Sequence, residues 1–287
     1  MSDEANRISR REFTALSIAA GVSAATRASD GGAGALIESD VQIRTSDGTC
    51  DAALVHPDRR AWPGVILFTD VFGLRPTMRD MAKRLAAHGY TVLVPNLFYR
   101  STKPPGLSTG IDFTNPADRA KIEELRKPLT SAAVMHDASA YVRFLDSLAA
   151  VRRTATLGVF GYCMGGPMTL QAAAANPQRI GAGASFHGGA LVTDDADSPH
   201  LWVPKIRARY YIAVAMNDDA RRPEAKTMLR DAFKSANLQA KIDVYACLHG
   251  WCVHDSPKPP GKAPIYNEAQ AERAWGELVG LFHRAQA

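Results

Sequence analysis

The stretch Leu157–Leu170, LGVFGYCMGGPMTL, decides how this chain folds. It starts as a continuous apolar run of the kind buried on both faces of a parallel sheet, and it continues as a helix-forming segment after Gly165. Between the two sits Cys163, with a glycine two positions away on each side. A nucleophile on a tight strand-to-helix turn stands clear of the backbone, and the neighbours that the turn crowds together must lack a Cβ. Gly161 and Gly165 meet that condition. The following helix turns its free amides and the positive end of its dipole toward Cys163, which favours an anion there. Pro167 falls in the first helical turn, where a missing N–H does no harm, and the amide of Met164 is available to a developing oxyanion. Taken alone, the same pattern also fits a glycine-rich turn around an inert, buried cysteine.

Outward from this turn the chain alternates strand and helix. Upstream, DVQIRTSDGTCDAALVHP reads as a hairpin about the turn at Ser46-Asp47-Gly48, GVILFT and TVLVPN as buried strands, and RPTMRDMAKRLAAHG as the helix between them. The segment from Ser101 to Thr130 breaks the pattern with Pro and Gly, and predicts an excursion beside a site, with one short helix around Ala117 to Arg126. A helix near Ser131 to Ala149 precedes the ATLGVFGY strand. Downstream, strands are predicted at GAGASFH, ARYYIAVAM and KIDVYA, with helices near Pro223 to Ser235 and from Glu268 to about Arg284. This is βαβ logic: a mostly parallel central sheet with helices on both faces.

A thiol nucleophile needs a base, and the base an orienting acid. On an α/β-hydrolase sheet they follow in the order nucleophile, acid, histidine, each in a loop after a strand. Asn217, Asp218 and Asp219 follow ARYYIAVAM, and His249 follows KIDVYACL. Asp218 is the expected acid, with Asp219 as the alternative, and His254 is a rival to His249. His187 ends the strand after the nucleophile helix and precedes the acid, a place that suits a pocket wall and not a triad base. A metal held by His249, Cys252 and His254 would lack the paired spacings such sites show, so no metal is expected. Phe72, Tyr99 and Trp251 near the site suggest a flat or apolar substrate, or equally core and rim packing.

The chain has 287 residues, 46% of them hydrophobic, enough for one large core. Its net charge of +5 is spread among alternating basic and acidic residues, a solvated surface with no nucleic-acid stripe. Residues 1–28 resemble a bacterial twin-arginine export signal: Ser9, Arg10, Arg11 and Phe13 stand at its motif positions, ahead of an uncharged run from Thr14 to Ala25. Export machinery, a periplasmic protein beginning near Ala28, and a domain at 29–287 without stable membrane insertion are therefore expected, with an ordinary amphipathic N-terminal helix and a cytoplasmic protein as the alternative. With Cys163 set aside, Cys50, Cys247 and Cys252 are odd in number, so at least one stays free; a Cys247–Cys252 pair would span little chain for disulfide geometry.

The set of motifs resembles the dienelactone hydrolase family of α/β-hydrolases. It covers nearly everything from Asp40 to Phe282: the GYCMGG elbow at Gly161 to Gly166, the Asn217-Asp218 pair, HGWC at His249 to Cys252, and FTDVFGLRP after an early strand. The resemblance implies an α/β-hydrolase fold, no cofactor, and hydrolysis of a small-molecule ester or enol lactone, with carboxymethylenebutenolidase as the activity. It implies Cys163, Asp218 and His249 as the triad and Asp70 as the acidic partner of the resting thiol. Val71 then supplies the second oxyanion amide beside Met164. In the family a substrate carboxylate lies between two arginines. Arg100 stands at the first position, Val253 occupies the second, and Asp70 is one methylene shorter than the usual glutamate. Hydrolysis of other small esters is the alternative, and a thiol redox protein or a non-catalytic binding protein on the same fold is the alternative of another class.

Overall fold

A computed structural model describes residues 34–107, 110–257 and 263–286, so the signal-like segment at 1–28 lies outside the described residues. The strands are β1 (Leu36–Thr45), β2 (Gly48–Pro57), β3 (Gly64–Phe68), β4 (Thr91–Pro95), β5 (Leu157–Tyr162), β6 (Ile180–Phe186), β7 (Arg209–Ala215) and β8 (Ala240–Tyr245). They form an 8-stranded sheet in the order β1-β2-β4-β3-β5-β6-β7-β8. The β1–β2 hairpin joins antiparallel at one edge, and every pairing from β4 to β8 is parallel. Wholly apolar strands sit where both faces are covered: all five residues of β3 are buried, Ile66 and Phe68 toward one core, Val65 and Leu67 toward the other.

The helices are α1 (Pro76–Ala86), α2 (Pro116–Arg126), α3 (Ser131–Ser147), α4 (Gly165–Ala175), α5 (Met216–Arg221), α6 (Ala225–Ser235) and α7 (Glu268–Gln286). α1 and α7 cover the face of Val65 and Leu67, while α3, α4 and α6 cover the other. Two elements depart from the sequence reading. A 3-10 helix at Pro199–Lys205 precedes β7, and the acid-bearing segment after β7 winds into α5 instead of forming a loop.

Parallel pairing brings strand ends together. Phe68 lies opposite Gly161, so the turn after β3 adjoins the turn after β5. Phe186 pairs with Ala213, and Ala215 with Tyr245, so the segments after β6, β7 and β8 gather at the same carboxyl edge, the ordinary place for a site on such a sheet.

Candidate active site

Cys163 occupies the turn between β5 and α4 with φ of 50°, a left-handed conformation that costs a non-glycine residue energy and recurs at functional sites. Close packing imposes the turn. A Cβ on Gly161 would lie 2.3 Å from the carbonyl oxygen of Gly165, and one on Gly165 would lie 2.3 Å from that of Phe68. The amide of Cys163 donates to Phe186 at 3.1 Å, tying the elbow to β6.

His249 Nδ1 bonds Asp218 Oδ2 at 2.6 Å, and the ring lies close enough to Cys163 for the two to influence each other's charge. The His249 backbone N–H donates to Asn217 Oδ1 at 2.7 Å, so α5 holds both the ring and the chain of the histidine. Asp219 turns away and is chelated by Lys226 Nζ at 2.7 Å from each carboxylate oxygen. Burial opposes a charge on His249, but its hydrogen bond to Asp218 and the neighbouring Cys163 outweigh it and push its pKa up to about 10. A raised histidine pKa stabilises the fold fully below its unfolded value near 6.5, and this stabilisation is lost as pH rises through about 10. Urea unfolding at pH 7 and at pH 10 should therefore show a loss of stability that His249→Gln lacks; equal losses in both proteins would contradict the ion-paired histidine.

His187 packs against this histidine at 4.7 Å between ring centroids, with planes at 71°. Burial, reinforced by the charge of His249, holds His187 neutral, well below the usual histidine range. Its Nδ1 meets Cys252 Sγ at 3.2 Å. Among the described residues no group of three His, Cys, Asp or Glu side chains could hold a metal ion. All four cysteines are free, so Cys247 and Cys252 are unpaired in the structure. Burial pushes the Cys50 thiol up to about 12, and that of Cys252 well above its ordinary value.

Beside the elbow, the amides of Val71 and Met164 donate to no acceptor among the described residues, whereas Phe72 N–H is taken by Asp70 Oδ1 at 3.0 Å. This is the arrangement an oxyanion hole requires: two free donors on adjacent turns. Asp70 itself corrects the sequence reading. Its carboxylate is not free to hold the thiol, because Arg75 grips it in a fork of 2.7 and 2.9 Å. The same guanidinium binds Asp255 with two bonds of 2.7 Å, and its side chain is only 5% exposed. Burial, the largest influence, holds the Asp70 carboxyl above the ordinary range against the pull of Arg75.

Arg75, which the sequence places in FTDVFGLRP and at the start of a helix, ties the loop of Val71 to the loop that follows His249. Removing it in Arg75→Ala would strand two carboxylates, one of them deeply buried. We expect a loss of about 3–5 kcal/mol in denaturant unfolding, and a loss under about 1 kcal/mol would show that water replaces the guanidinium.

The other expected substrate contacts also change. Arg100 is held by Asp137 at 2.8 and 2.9 Å and by Asp47 at 2.7 and 2.9 Å, so its fork is already filled by two carboxylates. The hydroxyl of Tyr99 joins that network, 2.9 Å from Asp137 and 2.7 Å from Thr45. Trp251 is fully buried, stacked on Tyr245 at 4.9 Å, and belongs to the core and not to a substrate wall. Phe72 is buried behind Val71, edge-on to Phe113 at 5.9 Å.

A mostly parallel eight-stranded sheet, flanked by helices and carrying a strained cysteine elbow, an Asp-His pair and two free amides at its carboxyl edge, defines an α/β-hydrolase. The dienelactone hydrolase family profile matches residues 50–286, and the chain belongs to that family of hydrolases. Among similar sequences, a putative carboxymethylenebutenolidase of Methylorubrum extorquens is 32% identical over 190 residues, 63% of this chain and 61% of that protein, so the match spans less than two-thirds of that relative. One of Synechocystis is 24% identical over 225 residues, covering 77% of this chain and 85% of that protein. The crystal structure of a putative dienelactone hydrolase from Klebsiella pneumoniae superposes with a TM-score of 0.73 at 22% identity, covering 86% of this chain and 98% of that one. At these identities the structural likeness speaks for the fold.

Proposed function

We propose that the protein hydrolyses a small carboxylic ester or enol lactone through a covalent thioester on Cys163, in the manner of a carboxymethylenebutenolidase. The observation that carries the reading is the alignment of the Cys163 elbow, His249 and Asp218, with the free amides of Val71 and Met164 alongside. As the sulfur of Cys163 attacks the carbonyl carbon, the proton it shares with His249 is on the imidazole. The C–O double bond opens to an oxyanion on the two amides, then re-forms as the alkoxide or enolate leaves and takes the Nε2 proton. Neutral His249 next removes a proton from water, whose oxygen attacks the thioester; the acid departs and the proton returns to the Cys163–His249 pair. Asp218 keeps the Nδ1 proton in place throughout.

The filled fork of Arg100 and the apolar Val253 favour a second reading of the substrate, in which other small, uncharged esters replace an anionic lactone. Export through the signal at 1–28 to the periplasm belongs to the same proposal, supported by the paired arginines and the uncharged run behind them.

The test is hydrolysis of a dienelactone and of a neutral activated ester by the chain from Ala28 onward, with mass spectrometry of the quenched enzyme. Turnover with an acyl mass on the Cys163 peptide is expected, and faster turnover of the neutral ester would select the second reading. Turnover of neither, with oxidation of Cys163 by dilute peroxide, would replace hydrolysis by a redox role; inertness in both assays would leave a binding protein.

A further inference from the structure

A second cleft opens on the opposite side of the sheet from Cys163, between α1 and α7. Its floor is Tyr162, Phe186 and Cys252, and its walls include Trp275, Tyr266 and Ala271. None of Cys163, Asp218 or His249 lines it.

Three properties define what fits. The volume is about 160 Å³, close to the roughly 150 Å³ of a cavity known to hold benzene and below the roughly 300 Å³ where pockets for larger ligands begin. One six-membered ring fills it. The second property is polarity at the floor. Tyr162 is 2% exposed, and its hydroxyl makes no hydrogen bond to a described residue and is not sealed from solvent, so it is left to the cleft, while the thiol of Cys252 is already engaged by His187. A hydroxyl satisfied by water alone can exchange that water for a ligand oxygen. The third is charge. At the rim Arg84 is paired with Glu272 and lies 4.3 Å over the Trp275 ring, and Asp80 is paired with Lys83 at 3.2 Å. Among the described lining residues the arginine is thus already paired, and His254 is the remaining basic side chain.

We propose that this cleft is a binding site for neutral, single-ring aromatic compounds bearing a hydroxyl, seated between Phe186 and Trp275 with the hydroxyl on Tyr162. The site stands apart from the hydrolytic reading and does not depend on it.

Phenol titrated calorimetrically into the full chain, and into Cys163→Ala, should bind both proteins alike with a stoichiometry of one. Tyr162→Phe should weaken phenol about tenfold, the equivalent of one lost hydrogen bond, and Ala271→Leu should abolish binding by filling the space. Benzoate should bind at least about tenfold more weakly than phenol, since the arginine at the rim is already held by Glu272. Absence of saturable phenol binding, or equal affinity in wild type and Tyr162→Phe, would overturn the proposal and assign the Tyr162 hydroxyl to water. Binding lost in Cys163→Ala would move phenol to the other cleft, and benzoate equal to phenol would refute the neutral class. Circular dichroism melts show whether Ala271→Leu is folded, and the isosteric Tyr162→Phe keeps the test decisive if it is not.

Discussion

Cys163→Ala is expected to lower ester turnover by about a million-fold in kcat, with substrate binding little changed. Removing the nucleophile of a serine triad costs on that order, and the residual rate over water comes from the oxyanion hole and binding alone. The same logic applies to a thiol whose base and acid are already aligned by His249 and Asp218. Alanine keeps a Cβ and nothing more at a position where φ is 50°, so the strain at the elbow is retained while the sulfur is lost. Steady-state kinetics on an activated ester, with circular dichroism to show that the fold persists, make the measurement. Activity within about tenfold of wild type would mean that the glycine-crowded turn around Cys163 is structural and the chemistry lies elsewhere.

The second large effect separates two adjacent carboxylates. Asp218→Asn should reduce kcat by about ten-thousand-fold, because an amide in that place presents N–H to Nδ1 and favours the wrong tautomer of His249. Asp219→Asn should leave kcat within a few-fold. Its only loss is the ion pair with Lys226, partly exposed and worth about 1 kcal/mol or less. Equal effects from the two changes would show that α5 shifts when substrate binds and that either acid can serve. The reverse order would exchange their roles.

What was legible in the sequence was what depends on near neighbours along the chain. The apolar run GVILF is a buried strand because five successive apolar residues must be covered on both faces, and the elbow is legible because Gly161, Cys163 and Gly165 clash or fit within one turn. Arg75 was not legible. Its partner Asp255 lies 180 residues away, and nothing in RPTM distinguishes a clamp between loops from a helix start. The partners of Arg100 and the burial of Trp251 were not legible for the same reason. A guanidinium or an indole beside a site in sequence can be claimed by carboxylates or by core rings that only the packed sheet brings near. The cleft floored by Tyr162 is further from any local signal, since its lining comes from α1, which packs on β2 and β4, and from α7, which packs on β5 to β7.

By itself, then, the order of strands, helices and glycines determined an α/β-hydrolase sheet and put a thiol on its elbow, because backbone geometry and apolar burial are settled over a few residues. The tertiary structure decided which carboxylate faces His249, that Asp70 belongs to Arg75, and that Arg100 is already occupied. Charges choose partners through space, at distances of about 3 Å that chain order does not encode, and burial makes each choice costly to reverse.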